Sequence, residues 1–294
     1  MASMTGLTRT TAGKRKRDLD PPKYDKRDLT YANSFENGFQ STFIRAVEWL
    51  TGKVSIIRMV RAFEKKGGAE GIKFWRAAID AMGIEITTPA AQFDNIPKEG
   101  PVIVVANHPH GLVDGMVMAE LIARVRPDFQ ILTREVLTGL DEVASSFLIP
   151  VPFPHAKDAQ QKSVEMRARA METLKAGGLI CIFPSGVVAT SKTAFGPVEE
   201  AEWNVFTAQM IRRSGATVVP IRFRGQNSRW YHIANRISAT MRQAMLLHEV
   251  VHVCNRPHGP VIGAPLDAAQ MERLKTDPRG WIAWARQHTL SLED

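Results

Sequence analysis

Two histidines and an aspartate crowd into one short stretch, Asn107-His108-Pro109-His110-Gly111-Leu112-Val113-Asp114-Gly115, directly after the apolar run Val102-Ile103-Val104-Val105-Ala106. The apolar run reads as a buried strand, and Pro109, Gly111 and Gly115 punctuate the segment after it, so the polar groups sit at a strand end. Enzymes of the α/β class keep their chemistry there. A carboxylate bonded to one imidazole nitrogen leaves the other free as a base near neutral pH. His108 and Asp114 therefore read as a general-base pair. Neither serine nor cysteine stands in the segment as a nucleophile, so the base has to activate a hydroxyl of the substrate. The competing reading is a solvated loop whose Asn, His and Asp make local turn hydrogen bonds; clustering after a buried strand favours the site.

Other chemistries fit the same residues less well. His108, His110 and Asp114 resemble the two-histidine, one-carboxylate metal set of a metal-dependent hydrolase, but Pro109 separates the histidines and no second histidine cluster follows. Ser185 in Phe183-Pro184-Ser185-Gly186 lacks the Gly-x-Ser-x-Gly elbow of a hydrolase nucleophile. No phosphate-loop or dinucleotide glycine fingerprint occurs. Nucleotide hydrolysis and nicotinamide chemistry are disfavoured accordingly.

The elements that position these residues alternate. Strands are expected at 84–86, 102–106, 129–132, 148–151, 179–183, 217–223 and 261–262. Helices are expected at 71–82, 116–125, 135–144, 159–174, 199–213 and 233–247, with a last one ending near residues 284–287. This order predicts an α/β fold with a mainly central mixed sheet flanked by helices, without fixing strand order. An N-terminal helical extension precedes it. Residues 34–66 repeat Phe35, Phe39, Phe43, Val47, Leu50, Val54 and Ile57 at helical spacing among Arg45, Lys53, Arg58, Arg61, Lys65 and Lys66, with Gly52 as a break between two helices. Such a basic amphipathic segment suits either a membrane interface or packing on the core. The organisation expected is a basic tail over 1–33, the amphipathic helical segment over 34–82, and one α/β domain over 83–294.

At 294 residues and 44% hydrophobic content the chain supports one core of this kind. Cys181 and Cys254 form neither a disulfide framework nor a zinc spacing and suit a reducing compartment. The net charge is +8, and Lys14-Arg15-Lys16-Arg17 opens a polar stretch suited to an anionic lipid surface. No nucleic-acid motif accompanies it, so no nucleic-acid partner is expected. The charges are not followed by an apolar signal core, and no run approaches the roughly 20 apolar residues of a spanning helix.

From Asn107 onward the chain resembles the glycerolipid and lysophospholipid acyltransferases. Their first block sets an Asp five positions after a His, or six in some bacterial branches, and His108 with Asp114 is similar to the six-position form. Their second block resembles Ile131-Leu132-Thr133-Arg134. The third, Phe-Pro-Glu-Gly-Thr-Arg in many members, appears as Phe183-Pro184-Ser185-Gly186-Val187-Val188, and the fourth as Val218-Val219-Pro220-Ile221. All four follow the family's order. Ser185 and Val188 replace the Glu and Arg that engage an acceptor phosphate in the family, and no neutral side chain replaces an arginine fork. A plain phosphate acceptor is thereby disfavoured unless Arg134 or Arg222 supplies charge from another strand. The stretches 183–190 and 225–228 resemble the bacterial branch of ornithine-lipid O-acyltransferases and haemolysin-like acyltransferases.

That resemblance implies transfer of a fatty acyl group from an acyl carrier protein or coenzyme A thioester to a hydroxyl of a lysolipid, a lyso-aminolipid or lysophospholipid. The place implied is the cytoplasmic face of a bacterial membrane, with the enzyme held peripherally. His108 is the implied base and Asp114 its partner. Asn107 and Gly186 are implied to stabilise the oxyanion, Ser185 to line the substrate site, and Arg134 and Arg222 to meet charged parts of donor or acceptor. No cofactor beyond the thioester co-substrate is implied. The competing class is a lipid-binding protein that kept this fold and lost turnover, motivated by the missing Glu and Arg.

Overall fold

The computed structural model describes residues 30, 32, 37–134, 146–152 and 158–293. Its strands are β1 (Glu85–Ile86), β2 (Val102–Ala106), β3 (Phe129–Arg134), β4 (Leu148–Val151), β5 (Leu179–Ile182), β6 (Thr190–Ser191), β7 (Val198–Glu199), β8 (Thr217–Arg222), β9 (Pro257–His258) and β10 (Val261–Ile262). The main sheet has the order β10-β8-β2-β5-β3-β4, parallel throughout except where β10 runs antiparallel to β8. β1 pairs with β9, and β6 with β7, as two small separate sheets.

Strand β2 lies inside the sheet with all five of its residues buried, which is why it reads as an unbroken apolar run. Its side chains alternate between two cores. Val102, Val104 and Ala106 meet the helices Lys73–Ala81, Leu112–Ala123 and Leu246–Val253. Ile103 and Val105 meet Ala159–Lys175, Val205–Ser214, Ala268–Thr276 and Pro278–Leu290. This is the expected α/β architecture with helices on both faces of a central mixed sheet. Cys181 lies wholly buried in β5, and Cys254 follows the helix Leu246–Val253; both thiols are free.

Several boundaries differ from the expected ones. The helix after β2 starts at Leu112 rather than 116, which places Asp114 in its first turn. The helix expected over 199–213 starts at Val205, because Val198 and Glu199 pair with Ser191 and Thr190 and Asn204 caps the helix through Phe206 N at 2.8 Å. The single helix expected over 233–247 is three: Arg229–Ile237, Ala239–Ala244 and Leu246–Val253. Ser238, extended at φ −168, ends the first and caps the second through Met241 N at 3.0 Å. The helix expected over 135–144, the Lys14–Arg17 cluster and nearly all of the tail fall outside the described residues.

Gly52 is not the break expected. The helices Gly38–Glu48 and Val54–Lys65 join through a π-helical turn, Trp49–Lys53. A Cβ on Gly52 would stand 2.7 Å from the Leu247 carbonyl oxygen, so glycine here permits a close crossing with the helix Leu246–Val253. Lys53, expected among the exposed basic groups, is buried. Phe39, Trp49 and Leu50 point outward, while Ile44 and Ile56 take the buried side. Among the described residues no helix is long and apolar enough to cross a membrane.

Candidate active site

Where β2 ends, Asn107 ties it to the strand beside it. The Asn107 Nδ2 donates to the Phe223 carbonyl at 2.8 Å and its Oδ1 accepts from Phe223 N at 2.7 Å. Gly111, at φ 71, then turns the chain into the helix Leu112–Ala123. Asp114 sits in that first turn, where the helix dipole favours an anion.

The Asp114 carboxylate is 1% exposed and surrounded by donors. Its Oδ2 lies 3.0 Å from His108 Nδ1, 2.7 Å from His110 N and 3.1 Å from Gly111 N, and its Oδ1 lies 3.2 Å from His110 Nδ1. Burial alone would raise its pKa. Hydrogen bonds from His108 and His110, with the charge of both imidazoles, outweigh that and pull the group down to about 2. An ionised carboxylate only accepts, so Nδ1 of His108 carries the proton in this contact and Nε2 remains the basic nitrogen.

Three further contacts fix His108. Its ring stacks on Phe183 with centroids 4.0 Å apart, its carbonyl accepts from Ala189 N at 2.8 Å, and its N–H donates to Glu200 Oε2 at 3.0 Å. Glu200 also accepts from Trp203 Nε1 at 3.2 Å. Burial pushes the Glu200 carboxyl up, opposed by the His108 N–H, the Ser185 hydroxyl and Trp203. Arg286 holds this segment by donating to the Glu200 carbonyl and, at 3.0 Å, to that of Ala201. Sequence reasoning missed Glu200: nothing in Glu199-Glu200-Ala201-Glu202 separates the buried carboxylate from its exposed neighbours.

His110 is the second imidazole on Asp114. Its ring packs edge-on against His258 at 5.2 Å, and a Cβ on Gly225 would stand 2.8 Å from its Nε2. Both histidines turn Nδ1 onto the same carboxylate, an arrangement around Asp114 rather than around a shared ion. Among the described residues no group of three His, Cys, Asp or Glu side chains is placed to hold a metal.

His108 opens on a cavity of about 450 Å³ with mostly apolar walls, among them Phe74, Trp75, Ile131, Leu148 and Phe206. Ser185 and Gly186 line its polar side. The Ser185 hydroxyl lies 2.9 Å from the Val187 carbonyl and Gly186 N closes a turn on the Phe183 carbonyl at 2.9 Å. Of the residues singled out from sequence, the structure thus gathers His108, Asp114, Ser185 and Gly186. It gives Asn107 and Gly186 N–H other work than holding an oxyanion, because their hydrogen bonds go to the backbone. Arg222 is also elsewhere: its guanidinium donates to the Leu292 carbonyl at 2.7 Å. Arg134 ends β3, and its side chain lies outside the described residues.

Residues 90–224, which include this constellation, match the Acyltransferase family. Lyso-glycine lipid O-acyltransferases of Phocaeicola vulgatus and Bacteroides thetaiotaomicron are 22% and 23% identical over 229 and 230 residues, covering 76% of this chain and 78% and 80% of theirs. Among solved structures, the 1-acyl-sn-glycerophosphate acyltransferase PlsC of Thermotoga maritima aligns with a TM-score of 0.45 at 16% identity, covering 76% of this chain and 78% of its own. The chain thus resembles acyltransferases over residues 90–224 and lysolipid O-acyltransferases over 76% of its length.

Proposed function

We propose that the protein moves a fatty acyl group from a thioester donor to a hydroxyl of a lysolipid, with His108 as general base and Asp114 as its partner. The observation that carries this reading is the His108 Nδ1–Asp114 Oδ2 contact of 3.0 Å at the wall of an apolar cavity. His108 Nε2 takes the hydroxyl proton as the acceptor oxygen attacks the thioester carbonyl. The tetrahedral adduct collapses, the C–S bond breaks, and the imidazolium returns the proton to the departing thiolate. Asp114 orients the imidazole and stabilises its charged form. No metal and no covalent enzyme intermediate enter this route, and the cavity takes the acyl chain.

The acceptor we favour is a lyso-aminolipid. Both curated relatives are named for a lyso-glycine lipid, and Ser185 and Val188 stand where a phosphate-binding Glu and Arg would be. Acyl carrier protein and coenzyme A are both anionic, and a chain of net charge +8 suits either donor. Peripheral attachment to the anionic cytoplasmic face is supported by Phe39, Trp49 and Leu50 standing exposed on a helix that also displays Arg58, Arg61 and Lys65. The test is purified protein given acyl carrier protein and coenzyme A thioesters with a panel of lyso-aminolipids and lysophospholipids. An O-acylated product from at least one pairing is expected. Absence of transfer in every pairing, with lipid binding intact, would replace the enzyme reading by that of a lipid-binding protein.

A further inference from the structure

Among the described residues after the N-terminal segment, the most exposed large apolar side chains are Phe195 at 78%, Trp230 at 67% and Ile237 at 66%, ahead of Val164 and Val187. Trp230 and Ile237 are seven residues apart on the helix Arg229–Ile237, so they share one face. Tyr231, His232 and Ala234 take the buried face. The hairpin β6–β7 is strapped alongside. Arg229 donates to the Gly196 carbonyl at 2.9 Å and Arg236 to the Lys192 carbonyl at 2.8 Å, which brings Phe195 to the same helix.

The rim of this face is cationic. Lys192, Arg229 and Arg236 are exposed, and the hairpin's Glu199 is paired with Lys192 Nζ at 2.7 Å. The face also hangs from the strand ends that carry the site: Ala189, just before β6, donates to the His108 carbonyl at 2.8 Å, and Ser191 N donates to His232 Nδ1 at 3.4 Å. An aromatic and aliphatic centre with a basic rim matches the boundary between anionic headgroups and acyl chains.

We infer that the helix Arg229–Ile237 and the hairpin β6–β7 form a membrane-docking face. Phe195, Trp230 and Ile237 enter the headgroup boundary of an anionic bilayer, with Lys192, Arg229 and Arg236 against lipid phosphates. The face holds the cavity at the surface where a lysolipid resides, and in this it rests on the proposed lysolipid activity.

The experiment compares the full chain with a Phe195→Ser/Trp230→Ser/Ile237→Ser variant, whose fold is checked by thermal melting. Both are titrated with phosphatidylcholine vesicles containing or lacking phosphatidylglycerol. The variant is expected to bind the anionic vesicles about tenfold more weakly, to lose transfer to vesicle-borne lysolipid in step, and to keep transfer to a monodisperse short-chain lysolipid. Quenching of tryptophan fluorescence by brominated lipid should fall in Trp230→Phe. Unchanged vesicle binding, or a Trp230 signal that brominated lipid does not reach, overturns the inference. So does a variant that binds vesicles normally but loses affinity for acyl carrier protein, or one whose mass in solution changes, since the face then serves an acidic protein or a second copy. A parent that never transfers acyl groups yet shows face-dependent vesicle binding defeats the enzymatic reading and leaves the docking face standing.

Discussion

Asp114 grips the ring of His108, and Glu200 grips its backbone. Both carboxylates are buried, yet one is pulled down to about 2 and the other is pushed up from its ordinary range. Desolvation acts on each in the same direction, so the donors decide the difference. Asp114 meets two imidazoles and two backbone N–H groups at a helix N-terminus; Glu200 meets one backbone N–H, an indole and a serine hydroxyl. The carboxylate that faces the ring of the proposed base is held ionised. The one that holds a peptide group needs only to accept hydrogen bonds.

The comparison is anchored by His108, the proposed base. His108→Ala is expected to lower turnover by about 100- to 10,000-fold with fold and vesicle binding retained, read by steady-state kinetics and thermal melting. Asp114→Asn comes next, with a loss of about a hundredfold, because an amide cannot stabilise the imidazolium and presents N–H to a cluster of donors. Its pH signature is specific. A carboxyl lowered from 3.8 to about 2 contributes stability of about 2 kcal/mol that is fully present above roughly pH 4 and is lost as pH falls towards 2. In urea unfolding, the gap between parent and Asp114→Asn should therefore narrow by about that amount between pH 5 and pH 2.

Glu200→Gln sharpens the contrast. One acceptor oxygen replaces two, so either the His108 N–H or the Trp203 indole loses its partner, at about 1–3 kcal/mol of stability. Turnover should fall only about tenfold, with KM and the pH profile of kcat near those of the parent. A loss equal to that of Asp114→Asn would show that the backbone grip matters as much as the ring. Ser185→Ala is the smallest effect, within about threefold. Abolished transfer in Ser185→Ala, with an acyl-serine trapped by mass spectrometry and His108→Ala still active, would overturn direct transfer.

The pair at the heart of the site was legible because its members are six positions apart and follow a strand apolar on both faces. Local spacing carried the geometry. Glu200 was not legible, since its contact with His108 spans 92 residues and its own neighbours include two more glutamates. Asn107 misled for a related reason: its amide chemistry suits an oxyanion, but a partner 116 residues away had already taken it. The α/β alternation survived as a fold because each strand is apolar over several residues. The helices between 229 and 253 did not read as three, because apolar spacing continues across the two breaks, extended Ser238 and Met245 at φ −85, ψ −8.

Cys181 gives the main sheet an internal reporter. Its thiol is wholly buried on the sheet face that meets the helices Lys73–Ala81, Leu112–Ala123 and Leu246–Val253, and burial pushes its pKa far up. Cys254 is raised less, beside the helix that crosses Gly52, with its Sγ donating to the Val250 carbonyl at 3.2 Å. Alkylation requires the thiolate and access to it. Native chain should therefore resist iodoacetamide at both positions, and labelling at each marks a different opening event. Cys254 dates the release of the helix Leu246–Val253, Cys181 the uncovering of the sheet face beneath the whole helical layer, and the ratio of the two adducts records the order in which the molecule comes apart.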